Sequence, residues 1–337
     1  MRPFAYQRVG DTASAMQALA AAGSANNALT DVPVQPLAGG TTLIDLMKLD
    51  VMRPTAVVDI NPLAASWSDI GTDDPLRLGA LARMSDVAAR PDIQRNYPVI
   101  ADALKLAASP QLRNMASLGG NVLQRTRCSY FRDVSYGNCN KRTPGSGCAA
   151  LEGFNRTHAV LGTSDQCIAT YPGDFAQALI ALDATIEITG RSGVRNLPFA
   201  ELHKPPGSTP QIETTLSAGE LISGFSIPGR WPRSVYLKVR DRQSYEFALA
   251  SAAIALDLQD GVIRDARIAL GGVATAPWRA REAEAMLKGQ KLDDALAGRA
   301  SEAAFADARA SKHNAFKIAL GKRVVSRALH QAATMEI

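Results

Sequence analysis

The sequence predicts an α/β chain of two domains. A larger domain spans 1–228 and carries an irregular insertion at about 124–168; a smaller α+β domain spans 229–337. Three observations predict this. At about 150 residues per domain, 337 residues make roughly two. Helix-like and strand-like periodicities alternate up to Pro228-Gly229. Beyond that point a hairpin precedes a run of helices.

In chain order, the spacing predicts a helix over Asp11–Ala22, with Asp11 or Thr12 as its cap, then a loop rich in Gly, Ser and Asn. A short helix is expected over Leu43–Lys48, a buried strand over Ala56–Ile60 and an alternating strand over Leu76–Ala80. Ser85–Ser109 reads as helix interrupted at Pro91 and Pro98. Phe175–Leu182 reads as helix, and Ala184–Thr189 and Leu221–Ile227 as strands. In the second domain, strands are expected over Ser234–Val239, Ala248–Leu258 and Ile263–Leu270, the last two joined by an Asp260-Gly261 turn. Helices including Arg281–Leu287 and Ala315–Ala332 close the chain.

Composition excludes several classes. Apolar residues make up 46%, too many for a disordered chain. The 37 basic residues are offset by 32 acidic ones, which argues against a nucleic-acid binder. No run of about 20 apolar residues offers a membrane span. The first residues lack a signal peptide's pattern, so a periplasmic location would rest on a partner's export signal; otherwise the chain is cytoplasmic.

Two glycine loops stand out. Leu37-Ala38-Gly39-Gly40-Thr41-Thr42-Leu43 precedes a helix, and Ser117-Leu118-Gly119-Gly120-Asn121 is a second turn of similar make. Such loops let backbone N–H groups approach a phosphate, although each alone could be an ordinary tight turn. Neither fits a P-loop or a Rossmann fingerprint.

All four cysteines fall in one stretch, as Cys128-x10-Cys139-x8-Cys148-x18-Cys167. Two disulfides, a zinc site, an iron–sulfur cluster and four unrelated core thiols are the competing readings. No close Cys-x2–4-Cys pair is present, which disfavours zinc. Clustering favours a metal site over disulfides without fixing the metal. The stretch from Gln124 to Cys167 carries a net +3, and its Arg132, Lys141 and Arg142 are candidates to offset a cluster's negative charge.

These residues resemble a known family, the FAD-binding subunits of xanthine dehydrogenases and aldehyde oxidases. Leu37–Leu43 resembles that family's pyrophosphate loop, and Arg113–Asn121 its second flavin loop. Gly173-Asp174-Phe175-Ala176-Gln177-Ala178-Leu179, Gly219-Glu220-Leu221-Ile222 and Tyr236-Leu237-Lys238-Val239-Arg240 also match, in order. The cysteine insertion, with Cys139-Asn140-Lys141-Arg142 and Pro144-Gly145-Ser146-Gly147-Cys148, is most similar to the flavin subunits of bacterial periplasmic aldehyde oxidoreductases. Flavin subunits of 4-hydroxybenzoyl-CoA reductases resemble it in having a clustered insertion.

The resemblance implies a two-part FAD-binding domain of the p-cresol methylhydroxylase type, followed by a smaller α+β domain. It implies FAD contacts from Leu37, Ala38, Gly39, Gly40, Thr41, Thr42, Leu43 and Ile44, and from Ser117, Gly120, Asn121, Asp174, Ile222 and Lys238. Asp174 could instead cap the helix after it, and Lys238 could be a solvated strand lysine. Cys128, Cys139, Cys148 and Cys167 are implied ligands of a 4Fe-4S cluster. Partners are implied as well: a small 2Fe-2S subunit and a large molybdenum-cofactor subunit, in a heterotrimer that oxidises aldehydes to carboxylic acids and sends electrons through FAD to an external acceptor. The alternatives are an aryl-CoA reductase subunit and, from another class, a zinc- or disulfide-stabilised binding protein. No catalytic side chain is expected; His158 and His203 read as structural.

Overall fold

The computed structural model describes residues 1–20 and 29–337. Among the described residues, twelve strands form three sheets. They are β1 Ala5–Arg8, β2 Val34–Leu37, β3 Ala56–Asp59, β4 Ile70–Gly71, β5 Leu76–Gly79, β6 Thr185–Gly190, β7 Gly193–Pro198, β8 Leu221–Ile227, β9 Ser234–Val239, β10 Ala250–Gln259, β11 Val262–Gly271 and β12 Trp278–Arg279.

The first sheet is parallel, in the order β1-β3-β2. A helix over Thr12–Leu19 follows β1, and the Asp11 carboxylate caps it by accepting from the Ser14 N–H at 2.8 Å. The end of the expected helix at Ala21–Ala22, and most of the polar loop beyond, lie outside the described residues. Parallel strands need crossovers, and the helix at Leu43–Lys48 supplies the one between β2 and β3. Strand β1 was not legible because all four of its residues are exposed.

The second sheet is antiparallel, in the order β4-β5-β8-β6-β7. Its apolar face, with Leu76, Leu78, Ile186, Ile188 and Phe225, packs on helices over Met84–Ala89, Pro98–Leu106 and Phe175–Ala181. The proline interruptions fall as expected. Pro91 and Pro98 each occupy the first turn of a new helix, where the missing N–H costs nothing.

The third sheet runs β12-β11-β10-β9. Asp260 and Gly261 both take positive φ, 54° and 76°, as a two-residue hairpin turn requires. Both faces of this sheet are covered. Tyr236, Ala253, Ala255 and Ala269 pack on the first domain's core. Ile254, Leu256, Ile268 and Leu270 pack under helices over Arg281–Leu287, Asp294–Ala304 and Phe316–Ala333. Two buried faces explain why Ala252–Leu256 reads as an unbroken apolar run.

Between Gln124 and Thr170 only Ser129–Arg132 is helical. Lone bridges hold the stretch instead: Cys139 with Cys148, Ser164 with Cys167 and Leu161 with Ala274. Arg142 donates to the carbonyls of Tyr130 (2.9 Å) and Phe131 (2.8 Å), stitching the loop from within. From the last helix, the fully buried Lys317 ammonium donates to Thr157 O (3.1 Å), His158 O (3.0 Å) and Gly272 O (2.5 Å). The insertion is thereby pinned to the second domain.

Candidate functional site

A cavity of about 320 Å³ lies between the first two sheets. Its wall includes Ala38, Gly39, Gly40, Thr41, Thr42 and Leu43 from the loop after β2. Ser117 and Gly120 face it from the second glycine loop, and Ile222 from β8. These nine expected contacts are therefore brought together.

The two loops meet backbone to backbone. A Cβ on Gly39 would sit 2.0 Å from Met115 O, so only glycine permits this approach. Gly40 adopts φ +71°, the left-handed region that favours glycine. The second loop is not the open turn the sequence suggests. Leu118–Val122 makes one helical turn, capped by Ser117 Oγ, which accepts from the Gly120 N–H at 3.2 Å.

Five expected contacts do not line this cavity. Leu37 and Ile44 pack under the loop in a small core with Leu46 and Met47. Asn121 donates to Met84 Sδ at 3.3 Å. Asp174 and Lys238 bond each other at 2.7 Å, almost wholly buried. Tyr236 Oη also donates to Asp174, at 2.6 Å, and Lys238 donates to Leu106 O at 3.1 Å. Asp174 does sit at the N-cap position of Phe175–Ala181, but its side chain makes no capping hydrogen bond, and Lys238 is no solvated strand lysine. Together they fasten β9 of the second domain to the first.

The four cysteines surround one small void, together with Phe131, Asn140 and Lys141. All four are free thiols. Burial pushes the Cys128 thiol up to about 12 and the Cys167 thiol to about 11, so neither ionises without a metal. Polar groups approach two of the sulfurs: Ala169 N donates to Cys167 Sγ at 3.4 Å, and His158 Nε2 lies 3.1 Å from Cys128 Sγ. Among the described residues no three His, Cys, Asp or Glu side chains converge on a single-ion cage. In a 4Fe-4S cluster each thiolate would bind a different iron, and four thiols around one void supply that ligand count.

The loop's cations are mostly spent on carboxylates outside it. Arg127 and Arg132 pair with Asp45, and Arg156 with Asp241. Sequence reasoning missed the group that matters most, Glu213. It accepts from Arg125 at 2.6 Å and from Lys141 at 2.7 Å. All three residues line the large cavity, and Lys141 also lines the thiol void. No local signal marks Glu213, because its partners lie 88 and 72 residues away.

Burial alone would raise the Glu213 carboxyl, but the flanking Arg125 and Lys141 override it and hold it down at about 2. Its ordinary value is 4.5. A depressed carboxylate stabilises the fold fully above its ordinary value, and that contribution drains as pH falls toward the folded value. Acid titration is therefore expected to show a loss of stability between pH 4.5 and about 2. Glu213→Gln should flatten that limb and cost about 3 kcal/mol at neutral pH by stranding two buried cations. An acid limb identical in wild type and variant would contradict this.

Comparisons with known proteins agree with the geometry. The family described as "FAD binding domain in molybdopterin dehydrogenase" matches residues 2–230, and "CO dehydrogenase flavoprotein C-terminal domain" matches 235–332. The aldehyde oxidoreductase FAD-binding subunit PaoB of Escherichia coli is 45% identical over 337 residues, covering 98% of this chain and 99% of that one. The glyceraldehyde dehydrogenase medium chain of Sulfolobus acidocaldarius is 28% identical over 263 residues, 78% of this chain and 76% of that one. A structure of reconstituted CO dehydrogenase from Oligotropha carboxidovorans superposes with a TM-score of 0.75 at 23% identity, covering all of both chains, and shows the same fold. With two glycine loops meeting over one cavity, in a chain matched along nearly its whole length, the protein belongs to the FAD-binding subunits of the xanthine dehydrogenase and aldehyde oxidase family of oxidoreductases.

Proposed function

We propose that this chain is the electron-transfer subunit of a heterotrimeric, molybdenum-dependent aldehyde oxidoreductase, holding FAD in the large cavity and a 4Fe-4S cluster on its four cysteines. The observation that carries the reading is a shared wall: Lys141 and Ala169 border both the cavity and the thiol void. When bound, the two groups take electrons released in aldehyde oxidation on the large subunit and pass them to an external acceptor.

The chain's own residues bind and orient. Gly39 and Gly40 let backbone approach the FAD phosphates, with the Thr41 and Thr42 hydroxyls beside them. Ser117 and Gly120 hold the opposite side, and Ile222 excludes water from the ring system. Asp174 and Lys238 act from behind the cavity by fixing the second domain against the first. On this reading residues 1–228 carry both groups, with 229–337 as a buttress, and a small 2Fe-2S subunit and a large molybdenum subunit complete the complex. No helix among the described residues is long and apolar enough to cross a membrane.

The purified trimer is expected to oxidise benzaldehyde with a dye acceptor and to leave 4-hydroxybenzoyl-CoA unreduced. Reduction of the thioester without aldehyde oxidation would assign the chain to an aryl-CoA reductase instead.

A further inference from the structure

Among the described residues, a single side chain comes within hydrogen-bond distance of a cysteine sulfur. His158 Nε2 lies 3.1 Å from Cys128 Sγ. The other contact of this kind comes from the backbone, the Ala169 N–H on Cys167 Sγ at 3.4 Å. The imidazole is only 3% exposed, and its ring centre stands 6.1 Å from that of Tyr130.

The histidine is anchored through its backbone. Its N–H donates to Asn155 O at 3.1 Å. Its carbonyl accepts from Lys317 Nζ at 3.0 Å and from Asn314 Nδ2 at 3.3 Å. Asn155 is tied in turn to the second domain, because its Oδ1 accepts from the His313 N–H at 2.9 Å. Lys317 lies in the final helix, Phe316–Ala333, and His313 and Asn314 just before it. The second domain thus fixes the histidine against a thiol of the insertion.

Chemistry sets the direction of the bond. A cysteine that ligates iron has lost its proton, so its sulfur only accepts. Nε2 is then the donor, whether the ring is neutral or charged. The rest of the ring agrees. Nδ1 is buried and has no partner among the described residues. With the hydrogen on Nδ1, a buried donor would go unmet and lone pairs would face each other between Nε2 and Sγ. With it on Nε2, only one acceptor goes unmet. An N–H···S bond strengthens as the sulfur grows more negative. It therefore favours the reduced cluster, and such bonds are one of the protein's levers on an iron–sulfur potential.

We propose that His158 is a positioning residue that raises the potential of the 4Fe-4S cluster by donating from Nε2 to Cys128 Sγ, with Lys317 and Asn314 holding it there. In the step concerned, one electron supplied by the proposed 2Fe-2S subunit enters the cluster, no bond breaks, and the hydrogen stays on Nε2. The proposal rests on the cluster reading of the four thiols. It makes the second domain a determinant of potential as well as a buttress.

The test uses His158→Phe, which keeps a flat ring beside Tyr130 but loses the donor, and His158→Gln, which keeps an N–H at similar reach. In the assembled complex, the 4Fe-4S potential is read by EPR-monitored titration, its signal separated from those of the 2Fe-2S subunit by faster relaxation. Flavin potential and iron content are measured alongside. His158→Phe is expected to shift the balance from reduced to oxidised cluster about threefold to tenfold, a drop of about 30–60 mV for a one-electron couple. Flavin potential should not move, and His158→Gln should stay near wild type. In wild-type complex carrying histidine labelled with heavy nitrogen, the reduced cluster should show a histidine nitrogen coupling that His158→Gln lacks. That coupling decides the matter where His158→Phe loses its iron. An unchanged cluster potential in His158→Phe, an equal drop in both variants, or no such coupling in the wild type would overturn the proposal. Absence of the 4Fe-4S signal from the wild-type complex would instead refute the cluster reading itself.

Discussion

Cys148→Ser is expected to strip the insertion of its iron and to loosen the whole stretch from Gln124 to Cys167. The replacement is nearly isosteric, so four unrelated core thiols would predict little change. The cluster reading predicts far more, because metal binding then contributes directly to folding. Within this long stretch the only regular element is one helical turn at Ser129–Arg132. The Cys139–Cys148 bridge is one of its few internal cross-links, so the thiols and the loop's shape depend on each other. A local loss of about 2 kcal/mol or more would lower Tm by roughly 4–8 °C. Because Lys141 and Ala169 serve both walls, flavin occupancy should fall along with iron. Full iron content and an unchanged Tm would remove Cys148 from the ligand set.

The second large effect belongs to Gly39→Ala. The added methyl would meet Met115 O at 2.0 Å and Met115 C at 2.7 Å, both backbone atoms that no rotamer change can move. The two glycine loops must then separate. Overpacking of this kind costs about 1–3 kcal/mol. The larger consequence is functional, since the gap between the loops is where the FAD phosphates are expected to lie. FAD affinity should drop at least about tenfold. Gly120→Ala makes a milder comparison, because its Cβ meets only the Ser117 hydroxyl, at 2.9 Å. A Gly39→Ala protein that keeps FAD as well as Gly120→Ala does would contradict the loop-to-loop account.

How much the sequence discloses differs by element, for physical reasons. The strands at Leu221–Ile227 and Ser234–Val239 and the helices at Leu43–Lys48 and Arg281–Leu287 fall where the pattern places them. Their periodicity is clean, and Pro228-Gly229 punctuates the boundary between the two strands. Strand β7 carries mostly exposed residues and no alternation, so pairing with β6 alone creates it. The turn at Leu118–Val122 hides behind two glycines that favour a loop. The clustering of the cysteines survives from sequence to structure, because one irregular loop contributes all four thiols. The Arg125–Glu213–Lys141 triad and the Asp174–Lys238 pair do not, since tertiary folding alone brings their members together. A positive loop awaiting an anionic cluster is what the charge pattern suggests. The structure shows instead that Asp45, Glu213 and Asp241 pair with five of those cations, leaving a net positive charge at the Arg125–Glu213–Lys141 cluster beside the cavity.

The most direct test of the account is the content of anaerobically purified protein. Flavin, iron, acid-labile sulfide and zinc are measured in the complex, and the iron and sulfide of the 2Fe-2S subunit, measured on that subunit alone, are subtracted. The account predicts one FAD with four iron and four sulfide atoms on the four thiols. One bound zinc with neither iron nor sulfide would contradict the cluster.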